Sequence, residues 1–273
     1  LLELSGIGRP EILKQFGIEV KHALPAVGEN LRDHINARGI WHVKVPSVSY
    51  NTRARGFGAV KEALKYATTR GGFLSLPSAP LLAFLKTQKE METPDVQMHI
   101  VPYSVKDPKR RILQEFPSMT LSVYQLRPES LGSIHIRSAD PNDQPKILFN
   151  FLTNPIDQQC MIDGFKMVRK IVSQPALDAF RGDEYDPGPK AKTDDDILAW
   201  IRNNSQTAYH PIGTCRMGPA GPNTVVDDKL KVHGIEGLRI ADASIFPTMP
   251  SGNTNAPSIM VGEKAAEIIK AAA

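Results

Sequence analysis

Cysteine is scarce in this chain: Cys160 and Cys215 are the only two among 273 residues, they stand far apart, and neither belongs to a CxxC pair. That excludes a disulfide framework and a cysteine-built zinc site, and it leaves the redox compartment open. Long apolar runs are missing as well. No stretch approaches the roughly 18 residues a membrane-crossing helix needs, so a cytoplasmic or peripherally membrane-associated location is the expectation. Charge of one sign is not concentrated: 33 Lys and Arg stand against 29 Asp and Glu, a formal net charge of +4. The densest basic cluster, Lys109-Arg110-Arg111, is too short for a nucleic-acid groove, so no nucleic-acid partner is expected. An initiator methionine is absent. The chain opens on Leu1-Leu2-Glu3-Leu4, inside an apolar element, and this reads as a fragment or processed product whose targeting signal lay elsewhere.

What is present is a globular composition, 41% hydrophobic and 23% charged, enough for one large or two modest domains. Leu1 to Leu4 has the character of a helix end broken by Ser5-Gly6-Ile7-Gly8. Arg9-Pro10-Glu11 opens a short helix through Gln15, with proline in its first turn. From Ala37 onward, runs rich in Val, Ile, Tyr and Phe at 39–45, 96–101, 119–126, 133–137 and 147–151 alternate as half-buried strands do, which predicts an antiparallel sheet. Helices are expected at 57–69, at 157–172 and after the acidic cap Thr193-Asp194-Asp195-Asp196. A last helix is expected from Pro257 to about Lys270, with Asn253 and Asn255 just before it. No internal repeat or low-complexity tract is present apart from the alanine tail.

Three loop segments carry chemistry. Tyr209-His210-Pro211-Ile212-Gly213-Thr214-Cys215-Arg216-Met217-Gly218 sets a histidine in a glycine-punctuated turn. Asp242-Ala243-Ser244-Ile245-Phe246-Pro247 follows the strand-like Leu238-Arg239-Ile240 and puts a carboxylate at a strand's carboxyl end, where ligands gather in α/β sheets. Ser251-Gly252-Asn253-Thr254-Asn255-Ala256-Pro257 feeds the final helix and points its backbone N–H groups and positive dipole end at whatever is bound. A loop histidine serves as a general base because its ordinary pKa lies near working pH. A carboxamide donates to an alcohol oxygen while staying uncharged. Against this stand plainer readings: His210 as a hydrogen-bonded loop residue, and Asn255 or Thr254 as a helix cap. The other six histidines, at 22, 34, 42, 99, 135 and 233, read as surface, capping or core-edge residues, since no two have metal-ligand spacing.

The order of the segments resembles the C-terminal half of the glucose-methanol-choline (GMC) oxidoreductases. Leu1 to Gly8 is similar to the end of that family's second sequence pattern, and Val27-Gly28-Glu29-Asn30-Leu31-Arg32-Asp33-His34 to the loop that follows. Arg127-Pro128-Glu129-Ser130-Leu131-Gly132-Ser133-Ile134, the His210 segment, the Asp242 segment and Gly252-Asn253-Thr254-Asn255-Ala256-Pro257 then fall in family order. The resemblance implies a fold combining α/β and α+β parts: a partial FAD-binding α/β domain, with a substrate domain on an antiparallel sheet flanked by helices. It would assign 1–35 and 225–273 to the FAD-binding domain and 36–224 to the substrate domain. It places the catalytic positions at His210 and Asn253, and lays Asp242, Ala243, Asn255 and Ala256 near the flavin. The family's GxGxxG turn, which holds the cofactor pyrophosphate at a helix N-terminus, is missing here, so an N-terminal FAD-binding segment is the expected partner.

The expected activity is FAD-dependent oxidation of a primary or secondary alcohol to an aldehyde or ketone, with the chain alone inactive. Oxygen, a quinone or another carrier would take the electrons. Choline is disfavoured by the resemblance: Ser78-Ala79-Pro80-Leu81-Leu82-Ala83-Phe84 carries Pro80 and leucines where an acidic residue is expected. At 7% aromatics no cage for a quaternary ammonium can be located. Two other classes stand beside it, a cyanohydrin (hydroxynitrile) lyase on the same scaffold and a non-catalytic truncated binding module.

Overall fold

A computed structural model describes residues 1–107, 110 and 112–272. Lys109 and Arg111 of the basic cluster lie outside the described residues. The chain forms two compact units: Leu1–His34, Leu126–Asp157 and Thr207–Ala273 make one, Ile35–Gln125 and Gln158–Gln206 the other. Segments 126–157 and 207–224 therefore pack with the chain ends.

The second unit is built on an antiparallel sheet whose strands run in the order Arg181–Asp186, Ile35–Val43, Ser118–Gln125, Val96–Val101, Leu81–Leu85. Alternation makes it two-faced. Met119, Leu121 and Val123 point to one side with Val96 and Met98, all buried, while Thr120 and Ser122 point to the other. The apolar face is covered by the helix Pro155–Val172, close enough that a Cβ on Gly164 would touch Val123 and Val96, and one on Gly39 would meet Phe165. The Trp200 indole packs on the Phe165 ring at 4.6 Å and donates to Asp186 Oδ1 at 2.9 Å. Asp194–Asn204 opens with a full capping box: Thr193 accepts from the Asp196 backbone and Asp196 accepts from the Thr193 backbone.

Two strands escape the hydrophobic pattern. Arg181–Asp186 has no apolar alternation to mark it, yet it is an edge strand whose Glu184 is held by Arg169 at 2.8 Å. Leu81–Leu85 is apolar on both sides, and Leu81, Leu82 and Phe84 are exposed.

The first unit has little regular structure: the expected short helix Pro10–Gln15, a parallel pair Ile7–Gly8 with His22–Ala23, an antiparallel pair Ser133–His135 with Lys146–Leu148, and the last helix, Asn255–Ala271. Leu1 to Leu4 is not a helix end; Glu3–Ser5 is one 3-10 turn closed by Gly6 at φ +81°. The core gathers Leu24, Val27, Ile212, Val225, Val226, Ile245, Phe246 and Val261 from distant segments. Both cysteines are free, and no group of His, Cys, Asp and Glu among the described residues could hold a metal. No described helix is long and apolar enough to cross a membrane.

Candidate active site

The loop of residues 27–34 is laced into the first unit by backbone bonds on both sides, which is how three segments remote in sequence meet. Ile134 N–H donates to Gly28 O at 2.7 Å and Gly28 N–H to Thr214 O at 2.9 Å. Leu31 exchanges bonds with Gly132, and Arg32 with Ile212. Gly28 sits at φ +83°, and a Cβ there would stand 2.2 Å from Ile134 O. Gly28→Ala therefore meets both a left-handed backbone and a carbonyl with no room to give, and should cost at least about 2–4 kcal/mol. Thermal melting checks this; a melting point equal to wild type would show that the lacing is loose.

This lacing delivers Asp33 and His34, both buried, against His210. Asp33 Oδ1 accepts the backbone N–H of His34 at 2.7 Å and of His210 at 2.9 Å, and Thr207 Oγ1 donates to Asp33 Oδ2. The carboxylate thus pins the turn that carries His210, including Tyr209 at φ +61°. Burial pushes the Asp33 carboxyl above its ordinary pKa, while the Thr207 and backbone donors pull it back.

His34 is 0% exposed. Its Nε2 lies 2.9 Å from Leu126 O and its Nδ1 3.0 Å from His210 Nδ1. A carbonyl only accepts, so His34 carries its proton on Nε2. Burial lowers the His34 pKa to about 4, so near neutral pH its Nδ1 is a bare acceptor. His210 must then donate from Nδ1, which leaves His210 Nε2 unprotonated. Asn253 Nδ2 lies 3.2 Å from that Nε2 and donates to it. Burial also pushes the His210 imidazole below its ordinary pKa, partly offset by the Asp33 charge.

His210 and Asn253 are therefore brought together, 43 residues apart in sequence. Asp242 is not at a strand end as the sequence suggested: Leu238 to Ile240 forms no strand, only a single bridge from Arg239 to Lys231. Asp242 instead caps the 3-10 turn Ala243–Ile245, accepting from Ser244 N–H at 2.7 Å. It also lines a groove of about 430 Å3 with Gly28, His135 and Cys215. Asn255 and Ala256 are not before the last helix but its first two residues, exposed and without a side-chain cap. In sequence Asp33 and His34 follow a loop punctuated by Pro and Gly that has the residues of a ligand-facing turn; their part in pinning His210 is visible only in the structure.

Residues 128–262 match the GMC oxidoreductase family model. The chain carries the GMC oxidoreductase C-terminal domain. It is 41% identical over 272 residues to an alcohol dehydrogenase [acceptor] of Pseudomonas putida, covering 98% of this chain and 48% of that protein. It is 37% identical to an oxygen-dependent choline dehydrogenase of Chromohalobacter salexigens, covering 99% and 48% respectively. A formate oxidase of Aspergillus oryzae, whose structure was described for its FAD modification, superposes with a TM-score of 0.87 at 28% identity, covering 99% of this chain and 52% of that one. The chain spans about half the length of the curated relatives it matches. GMC structures thus share its mixed α/β fold, with an antiparallel sheet flanked by helices.

Proposed function

We propose that this GMC domain supplies the proton-removing half of an FAD-dependent alcohol oxidoreductase, producing an aldehyde or ketone. The observation that carries the reading is the convergence of an unprotonated His210 Nε2 and the Asn253 carboxamide, 3.2 Å apart, with His34 fixing the tautomer. An alcohol within reach of both donates its proton to Nε2, and Asn253 N–H then supports the oxygen as charge develops. A bound FAD would supply the acceptor for the hydride of the carbinol carbon. The chain's own offer to such a cofactor is the Asp242 groove together with the exposed, uncapped helix N-terminus at Asn255 and Ala256, whose N–H groups and dipole favour negative charge. Ala243 belongs with Asp242 in this assignment. Residues 1–35 and 225–273 are assigned to the flavin side and 36–224 mainly to the substrate side, with the pyrophosphate held by an N-terminal segment and electrons passed to oxygen, a quinone or another carrier.

Anaerobic mixing of the flavin-loaded, full-length protein with a panel of primary and secondary alcohols tests this, followed by admission of air. Bleaching by an alcohol is the expected result and excludes a cyanohydrin lyase; persistent flavin colour with every alcohol would refute the proposal. The rate of bleaching should rise with pH and level off, because the base acts when neutral. Since burial holds the His210 imidazole low, the rise should be centred below pH 6.5. A limb centred above that value would point to another base.

His34 acts through His210 as a positioning residue. His34→Leu removes the acceptor for His210 Nδ1–H, so the reactive nitrogen is protonated in part of the population. A fall in kcat of about 10- to 100-fold with KM little changed is expected. His34→Asn, whose amide can both accept and donate, should recover part of it. Equal rates for both variants would reduce His34 to a packing residue.

A further inference from the structure

The sheet of the second unit turns its polar side onto a cavity of about 420 Å3, the size of a small-molecule site. Asn36, Arg38 and Ile40 reach it from one strand as alternate residues, Thr120 and Ser122 from the next, and His99 from the third. Two of these groups have bonding capacity that the lining does not use. Asn36 is 6% exposed, and its Oδ1 accepts no hydrogen bond. The half-buried Arg38 guanidinium donates to Gln206 Oε1 at 3.3 Å, and no carboxylate among the described residues forms an ion pair with it. The other cation on the lining, Lys106, is already matched to Glu115 at 3.1 Å. The carboxylate on the lining, Asp186, accepts from the Trp200 indole at 2.9 Å.

A guanidinium on a cavity wall with no carboxylate partner offers its planar fork, which fits a carboxylate with two parallel bonds. A bare amide oxygen in the same cavity asks for an O–H or N–H donor. We infer that this cavity binds a small hydroxylated carboxylate, the acid group on Arg38 and a hydroxyl donating to Asn36 Oδ1. A trimethylammonium ligand is the wrong charge for such a wall. The inference stands on this unit alone and needs no flavin, so it survives or fails independently of the redox reading.

Titration calorimetry of the chain with gluconate, sorbitol and choline decides it. Gluconate and sorbitol share a hydroxylated six-carbon skeleton and differ in the carboxylate. Gluconate is expected to bind, sorbitol and choline at least about tenfold more weakly. Arg38→Gln should weaken gluconate about 10- to 100-fold, Arg38→Lys less, and Asn36→Asp should weaken it by adding a like charge. Circular dichroism confirms that each variant is folded. Sorbitol binding as tightly as gluconate, unchanged gluconate binding in folded Arg38→Gln, or no gluconate binding to the folded wild-type chain would each overturn the assignment.

Discussion

Replacing His210 by alanine in the flavin-loaded protein is expected to slow flavin reduction by alcohol about 10²- to 10⁴-fold while leaving the melting temperature nearly unchanged. The size of the effect follows from what the side chain has been prepared to do. Its Nδ1 proton is committed to His34 and its backbone N–H to Asp33, so the ring is oriented before any substrate arrives. Asn253→Ala should cost somewhat less, about 10²- to 10³-fold, because it removes oxygen stabilisation and leaves the base in place. If the two groups serve one oxygen, the double variant should be far less than the product of the singles. Stopped-flow reduction of the three variants measures this. A His210→Ala enzyme reduced as fast as wild type would remove His210 from the chemistry, and strictly multiplicative losses would place the two groups on separate events.

Asp157→Ala should be the most damaging substitution for stability, at about 3–5 kcal/mol, a fall on the order of 10 °C in melting temperature. Asp157 is 1% exposed and accepts from the backbone N–H of Glu129 at 2.9 Å and of Ser130 at 2.7 Å, and from the Ser130 hydroxyl. Ser130 Oγ in turn accepts from the N–H groups of Thr153 and Asn154, each at 3.1 Å. One carboxylate thus organises the turn between two segments, and its loss strands several buried donors at once. Asp157→Asn keeps the shape but presents an NH2 to an N–H, and should recover only part of the loss. A melting curve for Asp157→Ala within about 1 kcal/mol of wild type would mean that water replaces the carboxylate without penalty. The arrangement also gives the segment Arg127-Pro128-Glu129-Ser130 a structural role.

The sheet was legible where burial is one-sided. Val96–Val101 and Ser118–Gln125 alternate along their length because one face meets a helix and the other a cavity. Arg181–Asp186 was not, because an edge strand satisfied by ion pairs leaves no hydrophobic period to read. Helices were legible from their caps: Thr193 with its three acids marks the start of Asp194–Asn204. The last helix begins at Asn255 because Pro257 fits within a first turn, where its missing N–H costs nothing. In the site, residue type singled out His210 and Asn253. It could not reveal that His34 is buried beneath His210, since nothing local to a loop histidine records a partner 176 positions away. That relation exists only once backbone bonds join residues 28–32 to 132–134 and 212–214.

The unit carrying His210 is assembled from three stretches of chain, with the sheet unit's two stretches intervening. Backbone bonds must join residues 28–32 to 132–134 and 212–214, so loop-closure entropy is spent before the contacts that repay it can form. The His210 ring is therefore oriented only once the loop carrying Asp33 and His34 and the segment carrying Asn253 have both docked against it.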